Sequence, residues 1–174
     1  MFEPFSDRAR RIVFYSRRLA GRQGASAIEA EHLIEALLLE DQAEYAQMFP
    51  ENAVPGTSTM ASPAHRPFFT PEVAAEIQRG LEPLVIAKGE PLPESVDMPL
   101  SDAAKHVLMG GKELSEQLDG EPATPSRIRT QHVQPLHLLA AALSDEGSAS
   151  AEVLKRAGVA KKTVIAAIKS GEYS

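Results

Sequence analysis

The sequence predicts an all-α fold made of two pseudo-twofold-related helical repeats, about eight helices in total. Three observations predict it. Apolar residues recur at helical spacing along most of the chain, no run alternates as a strand does, and two helices are each written twice in the same order. With 174 residues, 43% of them apolar, the chain is long enough for one core of ordinary size, and residues 1–174 are expected to form one domain.

The first helix is expected over 6–23, where Ala9, Ile12, Val13, Ser16, Leu19 and Ala20 share a face. Ninety-five residues on, the same template gives Ala104, Val107, Leu108, Gly111, Leu114 and Ser115. Each helix follows a Ser-Asp pair, Ser6-Asp7 and Ser101-Asp102. A serine at that position accepts a bond from an orphan backbone N–H, worth roughly 1 kcal/mol. The aspartate beside it favours the positive end of the helix. An N-cap hydroxyl beside free N–H groups can also hold an anion.

The second helix is "AEHLIEALLLED" (30–41), with Leu33, Ile34, Leu37 and Leu38 as its buried stripe. At an offset of 105, "PLHLLAAALSDE" (135–146) supplies Leu138, Leu139, Ala142 and Leu143, while His32 falls on His137 and Ile28 on Val133. The change of offset places a ten-residue insertion in the second half, at the Gly- and Pro-containing "DGEPATPSRIR" (119–129). Residues 71–82 form a further helix, started by Thr70 as cap and Pro71 at its first position. Residues 150–157 and 161–169 form two more, separated by "AGVAKK" (157–162). Repeat one then covers about 5–82 and repeat two about 100–170. Neither could bury its stripes alone, so each is the other's packing partner. Residues 49–69, with four prolines, read as a surface loop and 87–99 as a second linker.

Net charge is −6, unevenly spread. Residues 1–24 hold six arginines against Glu3 and Asp7, so that segment is +4 and the remainder −10. A mildly acidic chain with one basic helix argues against a general nucleic-acid binder. A nucleic-acid-binding regulator acting through that helix is the alternative reading, although no aromatic residues interleave to stack bases. A solvated face, with Arg10, Arg17 and Arg18 partly neutralised by Glu29, Glu35 or Glu40, is the plainer one. Without cysteine there are no disulfides or thiolate metal sites, which fits a reducing compartment. The N-terminus "MFEPFSDRARR" has no apolar signal region, and no apolar run approaches the ~20 residues of a membrane span. A cytoplasmic protein is expected.

Motor and enzyme motifs are missing. ATP binding by a phosphate loop needs G-x-x-x-x-G-K-[ST]. Before Gly110-Gly111-Lys112 the first glycine is replaced by His106, and Glu113 replaces the hydroxyl residue. His132 and His137 lack clustered carboxylates, and a zinc site needs three or four converging ligands. No G-x-S-x-G occurs. The expectation is a protein with no cofactor and no catalytic activity.

"FSDRARRIVFYSRRLAGRQGASAIEAEHLIEALLLED" resembles the N-terminal repeat of Clp-family AAA+ unfoldases, where a helix begun by an aromatic residue and Ser/Thr precedes a Glu-His-Leu helix. "LSDAAKHVLMGGKEL", "PLHLLAAALSDE" and "AEVLKRAGVAKKTVIAAI" resemble the second repeat and its closing helices. The resemblance implies an all-helical double-repeat domain that docks adaptors or protein substrates for an ATP-driven unfoldase, here without the ATPase. It also implies protein partners: a Clp ATPase, an adaptor or an unfolded segment, and, as in some members, a phosphoarginine-bearing peptide. The candidate partner-binding residues are Ser6, Arg10, Glu31, His32, Ser101 and His137. Glu31 could instead serve only the helix N-terminus, and His32 could bond a neighbouring backbone group at the edge of the core. The histidine recurs in the second half, but the glutamate becomes Leu136. One pocket is therefore expected, using Glu31 with Ser6, rather than two.

Overall fold

Seven helices form among the residues described by the computed structural model, which are 4–44, 66–118 and 132–173. They are α1 (Asp7–Arg22), α2 (Ala30–Asp41), α3 (Pro71–Leu81), α4 (Asp102–Leu118), α5 (Pro135–Ser144), α6 (Ala149–Arg156) and α7 (Lys161–Ser170). The insertion expected at 119–129 and most of the 49–69 loop lie outside the described residues.

Local chemistry sets the helix starts. Ser6, Ser101, Thr70 and Ser148 each accept a bond from the backbone N–H three residues on, at 3.2, 3.1, 3.3 and 3.1 Å. Pro71 sits in the first turn of α3, where its missing N–H costs nothing. The break after α6 is made by Gly158 at φ 85, a left-handed conformation that a Cβ would oppose.

The two central helices, α2 and α5, are buried on almost every side. All eight residues of the expected stripes are at most 4% exposed. α1 covers α2, α4 covers α5, and α6 and α7 close over α5, while α3 joins α2 to α6. One contiguous apolar core draws on both halves. Gly110 and Gly111 lie inside α4, so they form no phosphate loop. A Cβ on Gly111 would come within 2.7 Å of Leu138 Cδ2, so the glycine is there to let α4 approach α5.

The halves are stitched by a reciprocal crossing. Phe5 pairs with Val133 and Leu100 with Ile28 in two short parallel bridges. Ser6 N–H donates to Val133 O at 3.0 Å and Val133 N–H to Pro4 O at 2.7 Å. In the mirrored pair Ser101 N–H donates to Ile28 O at 3.0 Å and Ile28 N–H to Pro99 O at 2.9 Å. Because Phe5 corresponds to Leu100 and Ile28 to Val133 in the repeat, the same contact is made twice, once in each direction. These bridges are the pseudo-twofold relation expressed in the backbone.

The segment 87–99, read from sequence as a plain linker, is a strap tied along the end of α1. Lys88 N–H donates to Gln23 O at 2.7 Å and Leu92 N–H to Gly21 O at 2.8 Å, tying the strap to carbonyls at the helix end. Arg17 Nη2 donates to the carbonyls of Pro93, Glu94 (2.9 Å) and Val96, and Arg18 Nε pairs with Glu94 Oε1 at 2.8 Å. The strap passes so close to Gly24 (φ 64) that a Cβ there would lie 2.5 Å from Gly89 C.

Candidate partner-binding site

The six candidate residues fall into two groups, and the crossing decides the grouping. Ser101, at the start of α4, lies against Ile28, the residue that leads into Glu29, Glu31 and His32 at the start of α2. Ser6, with Arg10 one turn further along α1, lies against Val133, which leads into Leu136 and His137 at the start of α5. The expected pairing of Glu31 with Ser6 is therefore corrected. The serine that meets the chain leading into α2 is Ser101 of the other half, because each chain entry crosses to the opposite repeat.

At the first group, the opening turn of α2 is organised by a capping box. Glu29 is the N-cap, and its side chain accepts from the His32 backbone. His32 Nδ1 in turn accepts from the Glu29 N–H at 2.9 Å. With Nδ1 accepting, the ring proton sits on Nε2 and is given to Gln23 Oε1 at 2.8 Å. Gln23 Nε2 passes the chain on to Glu35 Oε2 at 3.4 Å. Burial pushes His32 down to about 4, against the pull of Glu29 and with the help of Lys88 on the strap. Burial pushes Glu35 up, with hydrogen bonds from Gln78 and Gln23 opposing. His32 is thus a neutral architectural residue, the reading that the repeat of the histidine favours.

Glu31 is different. It is half-buried, and among the described residues its carboxylate takes part in no hydrogen bond or ion pair. The helix start leaves the Ala30 and Glu31 N–H groups without intrahelical acceptors. Ser101 is half-buried, its oxygen already accepting the cap bond from Ala104 N–H and its hydroxyl proton still able to donate. The start of α2 therefore offers an open carboxylate in the same turn as helix-start donors, and Ser101 meets the chain at Ile28, just before that turn.

In the second group the same frame is present without the carboxylate. His137 Nδ1 accepts from Gln134 N–H at 2.9 Å, and Gln134 completes a capping box. Leu136 is 6% exposed and belongs to the core. An apolar side chain fills the place where Glu31 offers an acceptor.

Solved structures share this fold. A structure from a study of a malarial protein secretion system matches over 96% of this chain and 93% of its own, with TM-score 0.65 and 17% identity. The N-terminal domain of the caseinolytic protease associated chaperone ClpD from Arabidopsis thaliana matches over 96% of both chains, with TM-score 0.58 and 21% identity. The fold is that of a Clp-type N-terminal domain. The Hsp104 N-terminal domain from Candida albicans agrees, with TM-score 0.57, 18% identity, and coverage of 93% of this chain and 87% of that one. No protein-family model matches the sequence, and a search of curated proteins finds no match either.

Within this Clp-type N-domain fold the arginine helix is largely committed to internal contacts. Arg8 Nε and Arg11 Nη2 hold the buried Glu40 at 3.1 and 3.0 Å, and Arg8 Nη1 also donates to Tyr173 O at 2.8 Å. Arg17 and Arg18 hold the strap. Of the named arginines, Arg10 is exposed and lies 3.8 Å from Asp7. Sequence reasoning named Glu40 as a neutraliser, but the partner of Arg18 is Glu94, which no local pattern reveals. Asp41, unremarked in the sequence, accepts from the Phe68 and Phe69 N–H groups at 2.7 and 3.0 Å and so fixes the approach to α3. Among the described residues no helix is long and apolar enough to cross a membrane, and no group of three or more His, Asp or Glu side chains could hold a metal.

Proposed function

We propose that this chain is a non-catalytic docking module for protein partners in Clp-type unfolding or degradation, and that the start of α2 is its ligand contact. The fold supports the class. The observation that carries the site is the crossing that sets Ser101 beside the helix start bearing the open Glu31 carboxylate. A guanidinium group would find a charge-assisted acceptor in Glu31, and an anion attached to it would meet hydroxyl and N–H donors. A peptide bearing phosphorylated arginine carries both groups. Leu136 supports one such site rather than two.

The test is titration of the full chain with a phosphoarginine peptide. One site is expected, weakened about tenfold or more by Glu31→Ala, since bonds to charged groups contribute roughly 1.5–3 kcal/mol. Ser101→Gly, which costs little as a cap, should weaken it less. Two equivalent sites, or equal affinity in Glu31→Ala with an unchanged Tm, would overturn the site. Affinity purification that recovers no Clp subunit, adaptor or substrate would count against the wider role.

A further inference from the structure

The turn between α6 and α7 forms an open cleft of about 310 Å³, lined by Leu143, Lys155, Gly158, Val159, Ala160 and Lys161. Its floor is apolar, because Leu143 and Val159 belong to the core. Its rim is cationic: Lys155 and Lys161 line it, and Arg156 and Lys162 stand beside them, all four exposed. Among the described residues none of the four takes part in an ion pair. Asp145 and Glu146 follow Leu143 in the chain, yet they neither line the cleft nor pair with these cations.

Two of these cations oppose their own helix. Lys155 and Arg156 end α6, where positive charge suits the helix dipole. Lys161 and Lys162 begin α7, where it does not, and that first turn holds no acidic residue to offset them. A local rule broken without an internal compensation points outward, to a ligand that supplies the missing negative charge.

We propose that this cleft docks an acidic polypeptide segment, seating one aliphatic side chain on Leu143 and Val159 while flanking Asp or Glu carboxylates meet Lys155 and Lys161. Charge complementarity selects the acid, and the apolar floor selects a polypeptide over a polar polyanion. This surface is separate from the start of α2 and can hold or fail independently of it.

The test is fluorescence anisotropy on the full chain with a labelled Asp/Glu-rich decapeptide carrying one central leucine. Saturable, salt-sensitive binding is expected, weakened at least tenfold by the Lys155→Glu/Lys161→Glu double variant and unchanged by Glu31→Ala. Lys161→Glu relieves the start of α7 while Lys155→Glu opposes the end of α6, so Tm and helical circular dichroism of the double variant are measured beside its binding. If that variant does lose its helical circular dichroism, Lys155→Gln/Lys161→Gln replaces it, with at least a threefold loss expected. Replacing the peptide leucine by serine should also weaken binding. The proposal is overturned by no saturable binding, by equal affinity in the folded double variant, by indifference to the leucine, or by an oligothymidylate of equal charge binding as tightly.

Discussion

His32 and His137 perform the same act in the two halves: each Nδ1 accepts, at 2.9 Å, the backbone N–H of the residue three positions earlier. They differ behind the ring. His32 passes its Nε2 proton to Gln23, whereas the position equivalent to Gln23 in the second repeat is Leu118.

The histidine gives a pH prediction. The folded-state value of His32, about 4, lies below the 6.5 of an unfolded histidine, so folding favours the neutral ring. Its contribution is complete above pH 6.5 and is lost as pH falls from there through about 4. Protonation would also remove the Nδ1 acceptor and break the capping box. Tm measured from pH 7 to 4 should fall, and the His32 ring, followed by NMR, should titrate near 4. A ring titrating at 6.5 would refute this account.

Glu35 has the opposite sign. Its folded value is raised by burial, so the protonated acid is the better folded form. The stability tied to it is fully present below the unfolded carboxyl value and lost as pH rises through the folded one. Glu35→Gln removes the buried charge while keeping hydrogen-bonding groups for Gln23 and Gln78. At pH 7 its Tm should be higher than wild type. The gain should shrink toward pH 4. A lower Tm at pH 7 would mean that the carboxylate is held more favourably than its burial suggests.

Leu37 is 3% exposed in the shared core, and its truncation leaves a cavity. Leu37→Ala should cost roughly 2–5 kcal/mol in urea unfolding. A loss under 1 kcal/mol would show that the core collapses around the gap.

Gly24 combines a left-handed backbone with a close approach of the strap. Gly24→Ala should be destabilising by at least about 1 kcal/mol from the backbone alone. It should also speed amide exchange at Lys88 and Leu92, which bond to the end of α1. Slow exchange at both amides would show that the strap is held by its side chains instead.

Much of this was legible because it is periodic. The buried stripes of α2 and α5, the serine caps and the repeat of the histidine all follow from spacing within one helix or from one offset between helices. A histidine bonded to nearby backbone was one of the two readings the spacing offered, and the residue it bonds is the N-cap Glu29. What could not be read depends on which distant segments meet. Ser101 on Ile28, Glu94 on Arg18, and the strap on Gly24 join residues whose sequence neighbourhoods carry no mark of one another. A repeat pattern gives two similar halves, but it does not say whether each chain entry pairs within its own half or across. That choice set the composition of the candidate site.

The reciprocal crossing also has a consequence for synthesis. The Ile28–Leu100 contact can close while the chain is still growing, but Phe5 must wait until Val133 has been made. The Ser6 N–H therefore lacks its Val133 acceptor until the second repeat has been made, and the first repeat is finished only by the second. Contacts of such long sequence separation slow the folding of an otherwise helical chain. During that interval the exposed side chain at risk is Phe5, one of the most deeply buried aromatics of the finished protein.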